Sequence, residues 1–254
     1  MISIIIPTYN EEKNIERCLK SLENQTVPRN EFEVIVVDGQ SKDRTVDFAK
    51  KYADKVIQQK SKSVGGARND GANISKGEII ATTDADCVLS KNWIELIKKN
   101  FKRKNVVGIY GPLKPIDVGM KLKEKTNDKT AYIKLKIMIE KIKLNTAFMI
   151  EEIFMQISPK LGYHPIWGAN CAFDRKAFLE IGGYSDLPVI DDCEIGVRIK
   201  SFGRIVFDKN MKVDYSVRRI EKVGLINFTT FLGFNVIRLL LGKKIKGRYA
   251  KEEY

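Results

Sequence analysis

Several residue types that mark particular protein classes are scarce in this sequence. It has one histidine and four cysteines among 254 residues, and no two cysteines form a Cys-x-x-Cys pair. The cysteines are Cys18, Cys87, Cys171 and Cys193. Their scatter argues against a zinc site and against a disulfide framework, and it fits a reduced cytosol. We therefore expect four free cysteines that serve as small core residues.

Long apolar runs and targeting signals are also missing. No segment reaches the roughly 18 uncharged apolar residues of a membrane-spanning helix. The N-terminal stretch MISIIIPTYNEE lacks the basic and long apolar regions of a signal peptide, and we interpret it as a first strand. A Gly-x-Ser-x-Gly motif is absent, so a serine hydrolase is not expected. These absences predict a cytoplasmic protein.

Positive charge and apolar residues, by contrast, are plentiful. Lys and Arg number 45 against 32 Asp and Glu, a net charge of +13, and 43% of the residues are hydrophobic. The apolar fraction can fill a core, so a globular α/β protein is expected rather than a disordered chain. The charge favours an anionic partner, such as nucleotide phosphates, nucleic acid or acidic lipid. A solvated surface rich in lysine and glutamate explains it equally well.

Short β-branched segments alternate with helical patterns in the first half of the chain. The segments span residues 2–7, 32–38, 54–58 and 78–83. Between the first two, Ile15, Cys18, Leu19 and Leu22 recur at helical spacing. The alternation predicts a mostly parallel sheet with right-handed crossovers. Ligands of such sheets bind at the carboxyl ends of the strands.

Polar motifs follow the predicted strands at that edge. Asp38 ends a buried strand, where it could bind a ribose hydroxyl or a base, or cap the next helix. In SVGGARNDG two glycines precede a predicted helix and Arg68 adds a charge, which suits a phosphate. Successive side chains alternate along an extended segment, so Asp84 and Asp86 would point the same way. Their like charges make a divalent cation beside them expected. The alternative is a solvated turn that caps the following helix.

Five motifs, in order and spacing, resemble glycosyltransferase family 2, the inverting sugar transferases with the GT-A fold. They are SIIIPTYNEEKNIERCLKSL, FEVIVVDGQSKDRT, GGARNDGANISKGEIIATTDADC, GANCAFDRKAFLEIGGYSD and VIDDCEIGVRI. The resemblance covers about residues 1–210. It implies a nucleotide-sugar half at about 1–115 and an acceptor half at about 116–210, which includes a helical segment at 118–158. Residues 211–254 would form a basic, amphipathic helical extension.

The resemblance also implies roles for individual residues. It implies a nucleoside diphosphate sugar as donor and Mn²⁺ or Mg²⁺ as cofactor. Residues expected to bind the donor are Pro7, Tyr9, Glu11, Asp38, Arg68, Asp84 and Asp86. Asp84 would face the ribose, Asp86 would hold the metal, and Asp192 matches the catalytic aspartate. Residues expected near the diphosphate or the acceptor are Asn170, Asp191, Arg218 and Arg219.

The sequence departs from the family pattern at several positions. Gly39 stands where a second Asp is frequent, and Asp191 replaces the usual Glu. VDYSVRRIE lacks the histidine that some members use as a metal ligand, although Asp214 could substitute. The two arginines of that stretch could neutralise the leaving diphosphate or form a solvated turn. His164, the only histidine, is expected in a loop or at the acceptor site.

Two basic segments predict amphipathic helices. Ile133, Ile137, Leu144 and Phe148 recur at helical spacing among Lys134, Lys136, Lys141 and Lys143, and residues 225–246 repeat the pattern. Such helices either lie on an anionic membrane or pack against the sheet or a dimer partner. Together with the net charge they favour the membrane surface, on the cytoplasmic face. A carbohydrate or lipid-linked acceptor would then be used, whereas nothing in the sequence indicates an oligomeric state.

The sequence therefore predicts a metal-dependent, inverting glycosyltransferase that moves a sugar to an acceptor hydroxyl or phosphate. A nucleotidyltransferase that forms a nucleotide-sugar is one alternative, but it usually has a glycine-rich basic loop where this chain has TYNEEKN. A basic nucleic-acid-binding domain is another, but no recognised motif appears, and we expect no nucleic-acid partner. An inactive scaffold with the same fold is the third.

Overall fold

The computed structural model describes residues 1–120, 131–245 and 247. The strands are β1 (Ile2–Thr8), β2 (Phe32–Asp38), β3 (Lys55–Gln58), β4 (Ile79–Thr82), β5 (Cys87–Leu89), β6 (Val106–Tyr110), β7 (Leu113–Ile116), β8 (Cys171–Asp174), β9 (Arg204–Phe207) and β10 (Val213–Ser216). The α-helices are α1 (Ile15–Glu23), α2 (Thr45–Tyr52), α3 (Val64–Asn73), α4 (Trp93–Phe101), α5 (Ala131–Ile157), α6 (Arg175–Glu180), α7 (Asp191–Ile199), α8 (Arg218–Val223) and α9 (Leu225–Leu240).

The strands form two sheets. A seven-stranded sheet has the order β3-β2-β1-β4-β8-β6-β9, and a three-stranded sheet has the order β5-β10-β7. The four strands predicted from the sequence, β1 to β4, pair in parallel as expected. β8 runs antiparallel to both of its neighbours, which the alternation pattern did not indicate. β10 lies in the middle of the small sheet, so the sheets include residues beyond position 210.

The central strand β1 is covered on both faces. Successive side chains of a strand point to opposite faces. Accordingly, Ile4 and Ile6 pack into one core cluster and Ile5 into the other. On the first face α1 contributes Ile15, Cys18, Leu19 and Leu22, all fully or almost fully buried, which confirms the predicted helical face. Packing on both faces holds β1 in place and hence fixes the position of its carboxyl end.

The carboxyl ends of the parallel strands are tied together by backbone hydrogen bonds. The Gly39 amide donates to the carbonyl of Thr8 at 2.8 Å, which joins the end of β2 to that of β1. The Gln59 amide donates to the carbonyl of Asp38 at 2.7 Å, which adds β3. The motifs after these strands therefore lie at one edge of the sheet, as predicted.

All four cysteines are free, and three of them are buried, which confirms that they are not in disulfides. Their side chains fill core positions beside the strands.

The basic amphipathic helices pack on the protein through one face each. Leu144 of α5 and Phe228 of α9 share a small cluster with Val118, Val217 and Ile220. The face of α5 that the sequence assigned to a membrane is this inner face, because Leu144 is buried and Phe148 packs against the same cluster. Packing on the protein was the alternative, and it is correct for this face. Within the described ranges, no helix has the length and apolarity needed to cross a membrane.

Candidate active site

The segment after β4 is a turn rather than an extension of the strand. The Cys87 amide donates to the carbonyl of Asp84 at 3.1 Å, so the chain reverses between the two aspartates. The expectation that Asp84 and Asp86 alternate along an extended segment was therefore wrong. Each of the two carboxylates pairs with an arginine, and the expected divalent cation stays a prediction.

Arg68 connects two acidic motifs that are far apart in sequence. Its Nη2 atom lies 2.8 Å from Oδ1 of Asp84, and its Nη1 atom lies 3.4 Å from Oδ2 of Asp191. The side chain is only 5% exposed, and its guanidinium lies 5.3 Å from the centre of the Tyr184 ring. Burial opposes the charge, but the neighbouring carboxylates hold the pKa of Arg68 well above its usual value. Arg68 therefore stays charged and keeps the two motifs together.

Two glycines leave the room that Arg68 and Asp191 occupy. A Cβ atom on Gly168 would lie 2.5 Å from Cζ of Arg68, and one on Gly65 would lie 2.5 Å from Oδ2 of Asp191. Gly65 belongs to the first turn of α3, whose N-cap Ser63 accepts a bond from the Gly66 amide. The prediction that both glycines precede the helix was therefore wrong. Gly65 permits the close approach of α3 to Asp191 of α7, and Gly168 leaves room for the Arg68 side chain.

The paired aspartates begin helix α7. Asp192 accepts a hydrogen bond from the Gly168 amide at 2.8 Å through Oδ2 and another from the Cys193 amide at 2.9 Å through Oδ1. Burial raises the pKa of Asp192, and it raises the pKa of Asp191 to about 7 against the opposing charge of Arg68. The dipole at a helix N-terminus lowers a carboxyl pKa, but burial outweighs that effect for these two aspartates. A carboxylate with a raised pKa is a stronger base near neutral pH.

The residue before this pair has an unusual backbone. Ile190 has a φ of +54°, in the left-handed region that a β-branched residue rarely adopts. Its side chain is buried beside Val189 and Ile245, which holds the conformation. Strain of this kind is common at functional sites. It fixes the direction in which α7 starts and thus where Asp191 and Asp192 lie.

Arg218 pairs with two acidic residues at the other side of the site. It donates to Oε1 of Glu11, and its Nε atom lies 3.3 Å from Oδ2 of Asp86. The side chain is 35% exposed, so the predicted alternative of a solvated turn does not describe it. Burial raises the pKa of Asp86 to about 7; Arg218 and Arg219 lower it, while Glu11 and Asp84 raise it further. Both arginines thus act on the proposed metal ligand.

The carboxylates around Arg218 are the candidate ligands for a divalent cation. Among the residues that the structure describes, no three His, Cys, Asp or Glu side chains are grouped to hold a metal. Mg²⁺ and Mn²⁺ sites that bind phosphates commonly use only one or two carboxylates, with phosphate and water as the other ligands. Glu11 and Asp86 supply two hard oxygen donors around the single charge of Arg218. Glu11 and Asp86 therefore fit a divalent cation whose remaining ligands would come from a diphosphate.

Asp214 does not join this group. It lies on β10 next to Tyr215, whose phenol interacts electrostatically with Asp86. Within the described residues it belongs to no group of three His, Cys, Asp or Glu side chains, and its part in metal binding stays a prediction.

The residues predicted to bind the nucleoside lie at the ends of β1 and β2. Pro7 pairs with Val37 across the two strands, and a Cβ atom on Gly39 would lie 3.5 Å from Cβ of Tyr9. Asp38 accepts bonds from the Ser41 hydroxyl at 2.5 Å and from the amides of Gln40 and Ser41, both at 3.0 Å. This carboxylate therefore stabilises the loop that follows β2. The structure brings Pro7, Tyr9, Glu11 and Asp38 to one edge of the sheet.

Two predicted residues lie outside the acidic cluster. Asn170 is fully buried; it accepts from Nε1 of Trp93 at 2.8 Å and donates to the carbonyls of Pro112 and Met211. Both ends of its amide bond to protein groups, and its predicted place near the diphosphate or the acceptor stays a prediction. His164 packs edge-on against the Tyr110 ring, with 6.1 Å between ring centres. Burial lowers the pKa of His164.

One acidic residue of the site was missed by sequence reasoning. Glu151 of α5 accepts a hydrogen bond from Nε1 of Trp167, the neighbour of the glycine that donates to Asp192. Burial raises the pKa of Glu151 to about 7, and the charge of Asp192 adds to the shift. The available signal was a pair of acidic residues at 151–152 within an otherwise apolar stretch. Helical periodicity alone does not indicate which of the two faces the site.

Comparison with known proteins identifies the family of this chain. The sequence model described as "Glycosyl transferase family 2" matches residues 3–182, which is more than half of the chain. The chain belongs to glycosyl transferase family 2. The matched region of this family 2 chain includes β1 to β4, Asp84 and Asp86 and ends before Asp191.

Similar proteins of the family extend well beyond the region they share with this chain. The poly(ribitol-phosphate) beta-glucosyltransferase of Bacillus spizizenii is 40% identical over 124 residues, which cover 46% of this chain and 19% of that protein. The mannosyltransferase PcManGT from Pyrobaculum calidifontis, solved with GDP-Man and Mn²⁺, has a TM-score of 0.66 at 20% identity and covers 98% of this chain and 65% of that one. S. aureus TarS with UDP-GlcNAc has a TM-score of 0.62 at 18% identity, covering 85% and 58%. The chain spans less than two thirds of each, and the likeness confirms the GT-A fold.

Proposed function

We propose that this family 2 chain transfers a sugar, with inversion, from a nucleoside diphosphate sugar to an acceptor hydroxyl or phosphate. The observation that carries the proposal is the bridge from Asp84 through Arg68 to Asp191. It joins the donor-binding strand ends to the helix that bears the candidate base. A site for group transfer between two substrates requires both parts at hydrogen-bonding range.

The donor half of the proposal uses the edge formed by β1, β2 and β4. Asp38, Tyr9 and Pro7 would bind the nucleoside there, with Glu11, Arg68 and Asp84 close by. Asp86 would hold Mn²⁺ or Mg²⁺, which when bound neutralises the charge that develops on the leaving diphosphate. Arg218 and Arg219 would add positive charge on the same side. The solved relatives with GDP-Man and with UDP-GlcNAc support a nucleotide-sugar donor, and the former supports Mn²⁺.

The acceptor half of the proposal uses Asp192 as the general base. An acceptor oxygen attacks the anomeric carbon while the bond from that carbon to the diphosphate oxygen breaks. The acceptor proton passes to the Asp192 carboxylate, and the electron pair leaves with the diphosphate. A single displacement of this kind inverts the configuration, because the base and the leaving group lie on opposite faces of the sugar. The raised pKa of Asp192 suits proton transfer near neutral pH.

The acceptor in this proposal is carried by a lipid at a membrane surface. Support comes from the large apolar side chains that α5 and α9 leave exposed and from the net charge of +13. A free carbohydrate is the alternative acceptor. The two differ in whether transfer requires vesicles.

Transfer assays with the purified chain test the proposed function. Nucleoside diphosphate sugars would be screened by thermal shift with and without Mn²⁺, since a ligand of the native state raises the melting temperature. We expect release of nucleoside diphosphate, loss of transfer on chelation, and loss of transfer with a retained fold in Asp86→Asn. The matched control is Asp47→Asn, an exposed carboxylate of α2. Full activity in excess chelator would contradict metal use, and release of pyrophosphate would indicate a nucleotidyltransferase.

A further inference from the structure

Helix α5 has a second apolar face that packs on nothing in the described part of the chain. Its inner face, with Leu144 and Met155 buried, covers the fold. On the opposite side the exposed fractions are 50% for Leu135, 58% for Ile142 and 48% for Ile153. The other exposed apolar residues of the helix are Tyr132, Met138, Ile139, Met149, Ile150, Phe154 and Ile157. We call Leu135, Met138, Ile139, Ile142, Met149, Ile150, Ile153 and Ile157 the outer stripe.

The spacing of the outer stripe places it on one side of the helix. Its members are one, three, four or seven residues apart, and at 3.6 residues per turn these separations place them on one side of the helix. At about 1.5 Å per residue, the stripe from Leu135 to Ile157 extends over about 33 Å. Contiguous exposed apolar surface of this length is rare in monomeric proteins and marks an interaction site.

Exposed lysines flank the outer stripe on both sides. In a helix, residues seven apart lie on nearly the same side. Lys134 and Lys141 therefore lie on one flank, and Lys136 and Lys143 on the other. Long lysine side chains at such positions reach headgroup level while the apolar face lies in the acyl boundary. The charge pattern complements an anionic lipid surface.

The neighbouring helix α9 continues the same pattern. It packs on the cluster that also holds Leu144, and it exposes Ile226, Phe234 and Ile237 at 77%, 54% and 58%. Lys243 and Lys244 follow it and are exposed. Two helices that pack on one cluster thus each present exposed apolar side chains together with lysines.

A second copy of the chain fits this surface less well. A symmetric contact between two outer stripes would bring the flanking lysines of both copies together. Like charges at that distance repel and lower the affinity. A bilayer with anionic headgroups instead pairs each lysine with an opposite charge.

We propose that the outer stripe of α5, with its flanking lysines and the exposed side chains of α9, is the surface that docks on an anionic lipid bilayer. The inference deepens the proposed action on a lipid-linked acceptor and rests on it. It differs from the sequence-based expectation in its residues, because Ile133, Ile137, Leu144 and Phe148 face the protein or its edge. Trp167 packs against the cluster beneath α5 and α9, and its neighbour Gly168 donates to Asp192, so the two helices lie near the candidate base.

Vesicle flotation of the whole chain tests the surface. The vesicles would contain phosphatidylcholine alone or phosphatidylcholine with phosphatidylglycerol. Wild type should float with the anionic vesicles. Replacing the four flanking lysines by Gln should lower partitioning about fivefold per lysine, several hundredfold in all. The triple variant Leu135→Ser, Ile142→Ser, Ile153→Ser should not float with either composition.

Matched variants separate a specific surface from general charge and stickiness. Gln at Lys50, Lys51, Lys91 and Lys176 makes the same charge change away from α5 and α9. Ser at Ile74, Leu179 and Phe202 removes apolar residues that are 37% to 44% exposed elsewhere. Both controls should float like wild type. Equal loss of flotation in a control and in its matched variant would overturn the proposal.

Other outcomes also decide the question. Absence of wild-type flotation with either vesicle would overturn the proposal, as would self-association of wild type that the Ser triple variant abolishes, since a second copy would then occupy the stripe. Donor binding, followed by thermal shift in the same samples, separates this inference from the proposed function. Normal flotation without donor binding would support the docking surface and contradict the proposed function. Donor-dependent transfer without flotation would support the proposed function and contradict the docking surface.

Discussion

The Nε atom of Arg218 lies 3.3 Å from Oδ2 of Asp86, so the proposed metal ligand pairs with a cationic side chain. The same arginine also donates to Glu11. Two nearby carboxylates repel each other unless a positive charge lies between them. Arg218 supplies that charge, and an incoming divalent cation has to compete with it.

Removing Arg218 should therefore strengthen metal binding and lower the free energy of unfolding measured without metal. Arg218→Gln should lose about 1–3 kcal/mol of unfolding free energy in chelator, less than for a fully buried pair because the side chain is 35% exposed. Added Mn²⁺ should raise the melting temperature of the variant more than that of wild type. Calorimetric titration with Mn²⁺ measures the affinity directly.

The control for this experiment is Arg29→Gln. Arg29 also pairs with two carboxylates, Glu23 and Asp54, but neither belongs to the site. Its removal should leave the response to Mn²⁺ unchanged. An equal Mn²⁺ response of wild type and Arg218→Gln would show that the arginine and the metal do not share Asp86.

The choice of base can be tested by paired substitutions at the start of α7. Asp192→Asn should retain donor binding and lower turnover by about 10²–10⁴-fold on a hydroxyl acceptor. On an acceptor phosphate that is already ionised, the loss should be much smaller, because no proton has to be removed. An active Asp192→Asn beside an inactive Asp191→Asn would assign the base to Asp191 instead.

The close approach of α3 to α7 predicts opposite effects for two glycine substitutions. Gly65→Ala would place a Cβ atom 2.5 Å from Oδ2 of Asp191, whereas a Cβ atom on Gly233 meets nothing within 4 Å. Overpacking costs about 1–3 kcal/mol, while alanine in an open helical position gains up to about 1 kcal/mol. We therefore expect Gly65→Ala to unfold earlier and Gly233→Ala later than wild type in urea. A stabilised Gly65→Ala would mean that α7 can shift without cost.

Glu151 predicts a pH dependence of stability. Its pKa in the folded protein is about 7, above the ordinary value of 4.5, because burial disfavours the charge. Between these values the folded state holds a proton that the unfolded state has lost, so this group's contribution to stability falls as the pH rises. Glu151→Gln resembles the protonated form and should avoid that loss.

Melting temperatures of wild type and Glu151→Gln across this range check the sign. The two should be similar near about pH 5, and the variant should exceed wild type increasingly toward about pH 8. Asp86 and Asp191 also have raised pKa values, but they are unchanged in the variant, so the difference isolates Glu151. The control Glu152→Gln, the neighbouring glutamate, should show no such trend. A difference independent of pH would contradict the raised pKa.

Local patterns in the sequence indicated β1 to β4, the buried face of α1 and the edge at which the site forms. β-branched runs predict strands and the 3.6-residue repeat predicts the inner face of α1, because these signals depend on neighbouring residues alone. The motifs after β1, β2 and β4 were placed correctly for the same reason, since parallel strands bring their carboxyl ends to one edge. The acidic pair at the start of α7 was also evident as a motif.

Only the tertiary structure decided which of these charges meet. Arg68 reaches Asp191 across 123 positions, and Arg218 reaches Glu11 across 207, so neither pairing follows from local spacing. The fully used amide of Asn170 and the turn between Asp84 and Asp86 likewise depend on neighbours from other elements. In α5 the sequence offers two apolar faces, and packing alone selects the one that is buried. The physical reason is that periodicity records how side chains are distributed around a helix, whereas burial depends on what the rest of the chain places against it.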